Sequence, residues 1–600
     1  MRWSIRSADS AQVQSLSTAL QSSAFAAKFQ PEVATTLARL LVMRGIATAE
    51  AAHRFLAPSL SDLHSPYLLS GIKAALDRIE AAIERKETIL IYGDYDVDGT
   101  TAIVILKTAI ELCGGTTDFH VPHRIREGYD MRDDVIERAA AAGIRLIISV
   151  DMGIRAFAPA ETARRLGVDL IVTDHHLPGP DGVPQALAVV NPNQAGCQYP
   201  CKSICGAGVA FKLAQGLIAR RLTNKDQNQL LTSFMKMAAI ATVADSVPLA
   251  DENRIFTKIG LDALRKAVNP GLKALLEVAK LGGQPLTSGE VAFRIAPRIN
   301  AAGRMDVARD VIELFSVKDP VRAVEIANRL DQLNAERQEE ERRILESINK
   351  RFEEAPALRE AFCVVVDGEG WHRGVIGITA TRVVEQYGRP ALVISRNGDE
   401  AHGSGRSIKP FHLLNALESC PELFTRFGGH SHAVGFSLPS SHVDELRARL
   451  DTYARTRLTL EDFDPTLEAD AEIPLAEITP QLLAAVEQLE PFGAANHAPV
   501  FVTQAARLMA PPKVIKEKHI RLKVAPPLDG VKNGQSWRNS ITYDVLGWRM
   551  AERFLQEALI PGDSFDLAFT LDHNDHPEFG GMELTLKDFK IARLFQQTAP

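Results

Sequence analysis

The sequence predicts an α/β protein in which a parallel-sheet domain is joined by a long helix to a second α/β domain and then to an all-β domain. Strand-like and helix-like segments alternate between residues 80 and 180, residues 321–354 contain neither glycine nor proline, and short strand-like runs dominate from residue 495 onward. A chain of 600 residues is too long for one hydrophobic core, so several domains are expected.

The parallel-sheet domain is predicted from three strand-like runs, TILIYG, RLIISV and DLIVT, with helix-like segments such as residues 102–112 between them. Alternation of this kind is typical of βαβ units, and hence of a parallel sheet with helices on both faces. We assign this domain to residues 71–318. Residues 1–70 carry apolar helical patterns and are assigned to a small N-terminal helical segment.

A long helix is predicted over residues 319–354. Asp319 before Pro320 is a favourable helix start, and Pro356 is a favourable stop. At 1.5 Å per residue the helix would be about 50 Å long. Its middle, AERQEEERR, is too polar to be buried, so we expect it to bridge two domains. A coiled-coil dimer is the alternative, although its apolar positions are sparse.

The second α/β domain is assigned to residues 355–458, where AFCVVVDG and PALVISR are the predicted strands. Residues 462–480 are rich in acids and proline and are interpreted as a linker. The all-β domain is assigned to residues 465–595. Short strands with turns between them predict a small β-barrel or sandwich, and the runs are APVFVTQ, HIRLKV, SITYDVLGW, SFDLAFTLD and MELTLKDFKIARL.

Composition excludes few functions. The net charge of −7 neither indicates nor excludes a nucleic-acid binder, because binding depends on local patches. No apolar run reaches 18 residues and no apolar segment follows the basic N-terminal residues, so we expect no membrane span, no export and a cytoplasmic location.

Three of the six cysteines, Cys197, Cys201 and Cys205, lie four residues apart. The spacing lacks the CxxC pairs and histidines of familiar zinc modules, so reduced thiols are expected, with metal or redox chemistry as the alternative.

Carboxylates follow each of the three strands of the first domain. Asp94, Asp96 and Asp98 follow the first, Asp151 follows the second, and Asp174-His175-His176 follow the third. The pattern D-x-D-x-D-G also begins an EF-hand loop, but that loop needs a glutamate where Ile105 stands and a helix before it. A single aspartate at a strand end is commonly a helix N-cap, and Asp98 could serve so.

Because parallel strands end at one edge of a sheet, these side chains are expected to converge. So many like charges would repel one another by several kcal/mol unless cations neutralise them. Oxygen ligands with one or two imidazoles favour Mn²⁺ or Mg²⁺ over Zn²⁺. Asp245, after the apolar run MKMAAIATVA, is a further candidate ligand. Two such ions activate water and stabilise a leaving oxygen, so phosphoester hydrolysis is the predicted reaction.

These motifs resemble those of the DHH phosphoesterase superfamily, named for Asp-His-His. The matching stretches are GDYDVDGTT, SVDMGI, VTDHH, ATVADSVPL, HGSGRS and GGHSHAVGF. Within the superfamily, VPHRIREGY, FRIAPRINAAGRM and GWHRGVIGITA most resemble the RecJ family of single-strand-specific DNA exonucleases. The resemblance spans about residues 70–590. It implies a DHH domain, a long connecting helix, a DHHA1-type domain and an OB-fold.

The resemblance also implies stepwise 5′-to-3′ removal of nucleotides from single-stranded DNA with Mn²⁺ or Mg²⁺, releasing 5′-mononucleotides in DNA recombination and repair. By motif position the metal ligands would be Asp96, Asp98, Asp151, His175 and Asp245. Asp94 and His176 would belong to the second ion or to its surroundings. We assign direct catalytic roles to Asp98, Asp151, His175 and His176.

Substrate contacts are predicted from other motifs. In HGSGRS the glycines would let backbone N–H groups approach an anion, with His402, Ser404 and Arg406 beside them; a plain turn is the alternative. Arg124 resembles a family residue that holds the terminal phosphate. His430 is expected near the scissile phosphate, although a helix-capping turn is a fair alternative. Arg298 and Asn300 are expected to contact the sugar–phosphate chain.

The all-β domain has a local basic bias between residues 504 and 549, including Lys513, Lys516, Lys518 and Lys523. Such a face would guide a single strand, and Trp537 and Trp548 could stack bases. Either tryptophan could instead belong to the core, a position slightly favoured for Trp548. The expected partners are single-stranded DNA, a single-strand-binding protein and a helicase. The alternatives are a DHH-family phosphodiesterase of short oligonucleotides and an inactive DNA-binding scaffold, which metal-dependent nuclease activity would distinguish.

Overall fold

The computed structural model describes residues 1–591 except 24, 26, 125–126, 129, 306–307, 528–540 and 575–580. The chain forms two compact units, one of Ser59–Pro465 and one that combines Met1–Pro58 with Thr466–Pro600. No helix within the described ranges has the length and apolar content to cross a membrane. The predicted domain boundaries stay predictions.

The Ser59–Pro465 unit begins with a parallel sheet. With elements numbered in chain order, its strands are β2 Thr88–Gly93, β3 Thr116–His120, β4 Leu146–Val150, β5 Asp169–Thr173 and β6 Ala188–Val190. Their order is β3-β2-β4-β5-β6, and every pairing is parallel. Alternate side chains enter separate cores on the two faces, as Ile89 and Leu90 do. The three predicted strands are confirmed; β3 and β6 are additional.

Helices pack against the faces of this sheet and against one another. They are α4 Ile72–Glu84, α5 Val97–Leu112, α6 Asp133–Ala141, α7 Phe157–Arg165, α8 Gly206–Arg221, α9 Gln227–Ala244, α10 Asp251–Leu264, α11 Pro270–Val278, α12 Ser288–Glu290, α13 Ala296–Met305 and α14 Arg309–Ser316. Helix α5 starts five residues before the predicted segment, because the Asp96 side chain accepts a hydrogen bond from Gly99 N (3.0 Å) and caps it.

The predicted long helix is confirmed as α15, Pro320–Glu354, capped by the Asp319 side chain on Val321 N. The expectation that its middle is too polar to be buried is wrong for one face. Asn334, Arg337 and Glu341 are buried there, with Arg337 donating to Glu341 (2.7 Å) and to Asn334 (2.7 Å). The charges neutralise each other, which makes their burial tolerable.

The second α/β domain has a mixed sheet in the order β10-β11-β9-β8-β7. Only β7 and β8 are parallel. The strands are β7 Val364–Glu369, β8 Ala391–Asn397, β9 Glu400–Arg406, β10 Arg426–Gly429 and β11 Ala433–Pro439, and the helices are α16 Pro356–Glu360, α17 Ile376–Tyr387, α18 Leu413–Glu418 and α19 Val443–Arg455. The two predicted strands correspond to β7 and β8.

The HGSGRS stretch lies on β9, which pairs with β8 on one side and β11 on the other. The expectation that its backbone N–H groups cradle an anion is therefore wrong, because a central strand uses those groups in its ladders. Glycine is required at 403 for packing instead. A Cβ there would lie 2.0 Å from the Phe436 ring.

The other unit is built on a seven-stranded sheet in the order β13-β14-β18-β19-β17-β16-β15. Because β14 also pairs with β16, five of these strands close into a barrel, as predicted. The strands are β13 Ala471–Glu472, β14 Phe501–Leu508, β15 Lys513–Ile515, β16 His519–Ala525, β17 Tyr543–Gly547, β18 Ser564–Asn574 and β19 Gly581–Ile591.

The N-terminal segment belongs to the same unit. Strand β1, Arg2–Ile5, pairs in parallel with β12, Thr466–Ala469. The helices are α1 Ser10–Gln21, α2 Pro31–Val42, α3 Ala49–Leu56, α20 Pro480–Glu487 and α21 Ala551–Gln556. Leu37 and Phe565 share one hydrophobic core. The linker interpretation of residues 462–480 is wrong, because β12 and β13 lie in that segment and take part in sheets.

Candidate metal centre and anion cleft

Acidic and imidazole side chains gather at the carboxyl edge of the parallel sheet. Their positions follow from the strands and helices that precede them: Asp94, Asp96 and Asp98 span the turn from β2 into α5, Asp151 follows β4, Asp174, His175 and His176 follow β5, and Asp245 follows α9. Asp94, Asp98 and Asp151 are buried. The predicted convergence of the strand ends is therefore present.

Main-chain groups fix two of the carboxylates. Asp98 accepts hydrogen bonds from Gly206 N (2.6 Å) and Ala207 N (2.7 Å), at the first turn of α8. Asp151 has a positive φ of 59°, a conformation that aspartate and asparagine tolerate better than most residues. The side chain that caps α5 is Asp96 rather than Asp98, so the N-cap interpretation of Asp98 is wrong for that helix.

The ligand atoms form compact sets. In each of three sets the atoms lie within 4.8 Å of one another, and the sets are Asp94/Asp96/Asp151, Asp98/His175/Asp245 and Asp151/His175/His176. His175 Nε2 lies 3.2 Å from Asp151 Oδ1, 3.7 Å from Asp98 Oδ2 and 3.9 Å from Asp245 Oδ2. The first two sets share no residue, so each could hold one of two neighbouring cations.

Without a cation, this cluster holds an excess of negative charge. Burial, followed by repulsion from Asp96, raises the pKa of Asp94 well above its usual range, and burial with Asp98 does the same for the pKa of Asp151. Burial and Asp98 raise the pKa of Asp245 to about 8. Asp94 Oδ1 is buried with no hydrogen-bond partner among the described residues. These features fit divalent cations with oxygen and imidazole ligands.

Asp174 differs from the other carboxylates because its oxygens accept hydrogen bonds from main-chain N–H groups and from the His176 ring. Its Oδ1 accepts from His175 N (2.7 Å), His176 N (3.1 Å) and His176 Nδ1 (2.7 Å), and its Oδ2 accepts from Ile154 N (2.9 Å). Although burial opposes the charge of His176, the bond to Asp174 raises the His176 pKa to about 9. Asp174 therefore orients the two histidines and, in the absence of a metal ion, favours the protonated form of His176.

A cleft of about 610 Å³ lies beside this cluster. Tyr95, which stands between Asp94 and Asp96, is part of its wall. The predicted substrate residues Arg124, His402, Ser404 and Arg406 line it as well. Three arginines that the sequence analysis did not assign complete the lining, and they are Arg304, Arg373 and Arg426.

The cleft has an excess of positive charge. Burial and the neighbouring Arg124 lower the pKa of Arg406, and the same two causes lower the pKa of Arg304 to about 10. Arg406 Nη1 donates to Ser404 Oγ (3.3 Å), and the Arg124 guanidinium lies 5.1 Å from the Tyr95 ring centre. Guanidinium groups arranged in this way are suited to a phosphate.

Three predicted substrate residues have other surroundings. Arg298 pairs with Asp331 (2.8 Å), and Asn300 Oδ1 accepts from Val97 N (3.1 Å) at the start of α5. His430 is exposed in the turn between β10 and β11, where its N–H donates to Ala433 O (2.8 Å). Contact of these residues with a nucleic acid stays a prediction.

The cysteine cluster is separate from the metal sets. Cys197, Cys201 and Cys205 are buried free thiols, and none belongs to a group of potential metal ligands found among the described residues. Burial raises the pKa of Cys201 and of Cys205. Buried thiols of this kind are unreactive.

The barrel unit presents part of its predicted basic face to solvent. Lys513, Lys516, Lys518 and Lys523 are exposed. Trp548 is 56% exposed and lies edge-on against His519, so the core position favoured for it is wrong. Trp537 lies outside the described residues, and so do Lys532 and Arg538 of the same basic segment.

Comparison with known families assigns all three parts of the chain. The DHH family N-terminal domain matches residues 88–242, the DHHA1 domain matches residues 360–456, and the RecJ OB domain matches residues 469–588. These are the domain types that the motifs imply.

Known proteins match over nearly the whole chain. The single-stranded-DNA-specific exonuclease RecJ of Bacillus subtilis (strain 168) is 35% identical over 597 residues, covering 99% of this chain and 71% of the relative. The crystal structure of RecJ from Thermus thermophilus with Mn²⁺ matches with a TM-score of 0.80 at 28% identity, covering 99% of this chain and 80% of that one. Its Mg²⁺ complex matches with a TM-score of 0.74 at 26% identity, with coverages of 99% and 79%. The chain therefore belongs to the RecJ family of DHH-type exonucleases.

Proposed function

We propose that this protein is a metal-dependent exonuclease that hydrolyses single-stranded DNA from its 5′ end and releases 5′-mononucleotides, in DNA recombination and repair. The observation that carries the proposal is that Tyr95, which stands between two residues of the acidic cluster, lines an arginine-rich cleft in the same compact unit. Membership of the RecJ family supports the choice of substrate, and the 5′ polarity rests on the family resemblance.

Two divalent ions, Mn²⁺ or Mg²⁺, are assigned to the acidic cluster. Asp98, His175 and Asp245 form one set of ligands, and Asp94, Asp96 and Asp151 form the other; Asp151 and His175, 3.2 Å apart, join them. Bound there, the ions would activate water and stabilise the leaving oxygen. His176, oriented by its bond to Asp174, would lie beside the phosphodiester under attack.

The cleft is assigned to the terminal phosphate of the strand. Arg124, Ser404 and Arg406 are the proposed phosphate ligands, and Arg304 and Arg373 extend the positive lining. Because Tyr95 separates Asp94 from Asp96 and also lines the cleft, a phosphate held here would place the next phosphodiester near the acidic cluster. Holding the terminal phosphate in the cleft while the next phosphodiester is cut would make the enzyme release single nucleotides.

Digestion of end-labelled strands tests the proposal. Single strands blocked at the 5′ end, blocked at the 3′ end or annealed into duplexes should be compared with Mn²⁺ and with a chelator, and the products separated by size. We expect mononucleotides from single strands that are free at the 5′ end, and none with the chelator. Degradation that begins at the 3′ end, a preference for short oligonucleotides, or strand binding without cleavage would overturn it.

We also propose a cytoplasmic location and contacts with a single-strand-binding protein and a helicase. The support is the assigned activity, since a single strand has to be produced and is commonly coated before it is digested. Co-purification of tagged protein from cell lysate treated with nuclease would test direct contact. Loss of both partners after nuclease treatment would leave DNA as the connection and contradict the proposal.

A further inference from the structure

The two histidines of the metal cluster occupy a segment without regular secondary structure. Strand β5 ends at Thr173, and no backbone ladder continues through His175 and His176. Both peptide N–H groups donate hydrogen bonds to Asp174, as described above. Two buried or half-buried asparagines contact the opposite side of the segment.

Asn191 and Asn193 follow β6, the strand beside β5. Asn193 Nδ2 donates to His175 O (2.7 Å), and Asn191 Nδ2 donates to His176 O (2.9 Å). With the Asp174 bonds, all four main-chain polar groups of the His175–His176 dipeptide therefore bind side chains. Such a set of bonds fixes the path of the backbone as a strand ladder would.

The two asparagines are themselves held in place. Thr173 is in register with Val190, and Asp174 N donates to Val190 O (3.1 Å), so the residues after β5 and β6 lie side by side. Asn191 Oδ1 accepts from Asn193 N (2.7 Å) across Pro192, which is an Asx-turn with a rigid centre. Asn191 is fully buried, and both ends of its amide are used.

We propose that Asn191 and Asn193 are positioning residues that set the His175 imidazole for the metal ion. This inference rests on the proposed function. When the main chain of His175 is fixed, the direction of its Cα–Cβ bond is fixed as well. This direction places Nε2 within 4 Å of Asp98, Asp151 and Asp245. Partners that orient metal ligands in this way commonly change metal affinity by roughly 10- to 100-fold when removed.

The test measures Mn²⁺ binding to the full-length protein without DNA, by electron paramagnetic resonance of free Mn²⁺. Asn193→Ala and Asn191→Ala should each weaken binding by roughly 10-fold or more. At saturating Mn²⁺, kcat on single strands should fall while KM changes little, because the cleft is untouched. Thermal unfolding of the metal-free variants reports their stability separately.

Asn193→Asp separates positioning from charge. The substitution keeps the shape but replaces the donor with an acceptor that faces His175 O. A charge effect alone would tighten Mn²⁺ binding, since a carboxylate is added near the cation. Positioning predicts weaker binding. Should the alanine variants fail to fold, this isosteric variant carries the test.

Asn269→Ala is the matched control. Asn269 also donates to a main-chain carbonyl, Phe315 O (2.8 Å), and accepts from a main-chain N–H, Leu272 N (2.9 Å), in the same unit but away from the metal cluster. It should lower stability and leave Mn²⁺ affinity unchanged. The inference is overturned if the wild type binds Mn²⁺ and the Asn191 and Asn193 variants match it, or if Asn269→Ala weakens binding equally. If the wild type itself binds no Mn²⁺, the proposed function fails instead.

Discussion

The acidic cluster and the arginine cleft are neighbouring regions of opposite charge, and in both of them burial and like charges shift pKa values. In one, burial and then neighbouring carboxylates raise the pKa of Asp151 and of Asp245; in the other, burial and then Arg124 lower the pKa of Arg406 and of Arg304. Each region is destabilised by its own charge and is relieved by a ligand of opposite charge. The difference is in construction, because the carboxylates follow sheet strands and a helix, whereas the arginines come from segments scattered between residues 124 and 426.

The largest effect is expected in the acidic cluster. Asp151→Asn should lower cleavage by about 10³-fold or more, since bound metal supplies several kcal/mol of transition-state stabilisation. Asparagine suits the positive φ of this residue. The metal-free variant should nevertheless unfold at a higher temperature than the wild type near neutral pH, because burying the Asp151 carboxyl, which the unfolded chain ionises freely, costs free energy that burying asparagine does not.

Single-strand digestion and thermal unfolding check both parts of this prediction. Asp262→Asn, an exposed carboxylate on α10, is the control and should change neither. Retained cleavage by the Asp151 variant would contradict the ligand assignment.

A smaller effect is expected in the cleft. Arg406→Ala should reduce kcat/KM on 5′-phosphorylated single strands by about 10- to 100-fold, because a charge-assisted hydrogen bond contributes about 1.5–3 kcal/mol. The same variant should differ little from the wild type on strands without the phosphate. Steady-state kinetics on the two substrates measure the difference, with Arg449→Ala, which pairs with Glu422 elsewhere in the domain, as the control. An equal loss on both substrates would argue against a phosphate site.

A further effect is expected on the binding of long strands, to which the barrel unit should contribute. A chain of residues 59–465 keeps both charged regions but lacks the exposed lysines of the barrel, so its affinity for long strands should fall about tenfold and depend less steeply on salt. Fluorescence anisotropy with labelled strands of several lengths at two salt concentrations measures this. Unchanged affinity would give the barrel another function.

A second truncation, to residues 1–465, tests whether the N-terminal helices depend on the barrel. It leaves the apolar faces of α1, α2 and α3 without the barrel core that they share. We therefore expect it to aggregate more than the shorter chain does.

The last expected effect concerns stability as a function of pH and not activity. The folded protein without metal keeps protons on Asp94, Asp151 and Asp245 that the unfolded chain releases near pH 4. Its stability should therefore fall as the pH rises from about 4 towards 8, by at most about 1.4 kcal/mol per pH unit for each group. Saturating Mn²⁺ should remove this decline, which thermal unfolding with and without the ion can detect. A metal-free protein of constant stability over this range would contradict the raised pKa values.

Regular secondary structure explains what could be predicted from the sequence. The strand ends that carry Asp94, Asp151 and His175 could be predicted because an apolar run stops at a polar residue. Helix α15 could be predicted because proline stands near both of its ends. The metal cluster followed from the rule that parallel strands end at one edge of a sheet.

Long-range packing explains what could not be predicted. Arg304 and Arg373 belong to quoted motifs, but only the folded chain brings them to Arg124 and Arg406. The bonds from Asn191 and Asn193 depend on β6, a strand of three residues that gives little signal. The pairing of β1 with β12 joins segments more than 400 residues apart, beyond the reach of any local pattern.

That pairing has a consequence for biosynthesis. More than 400 residues separate the two pieces of the barrel unit, so at about 5–20 residues per second the ribosome needs roughly 20–80 s to deliver the second piece. Throughout that interval α1, α2 and α3 expose the apolar residues that pack against the barrel in the folded protein. Nascent chains of this protein should thus rely on ribosome-associated chaperones at their N-terminus while the nuclease core is already assembling behind it.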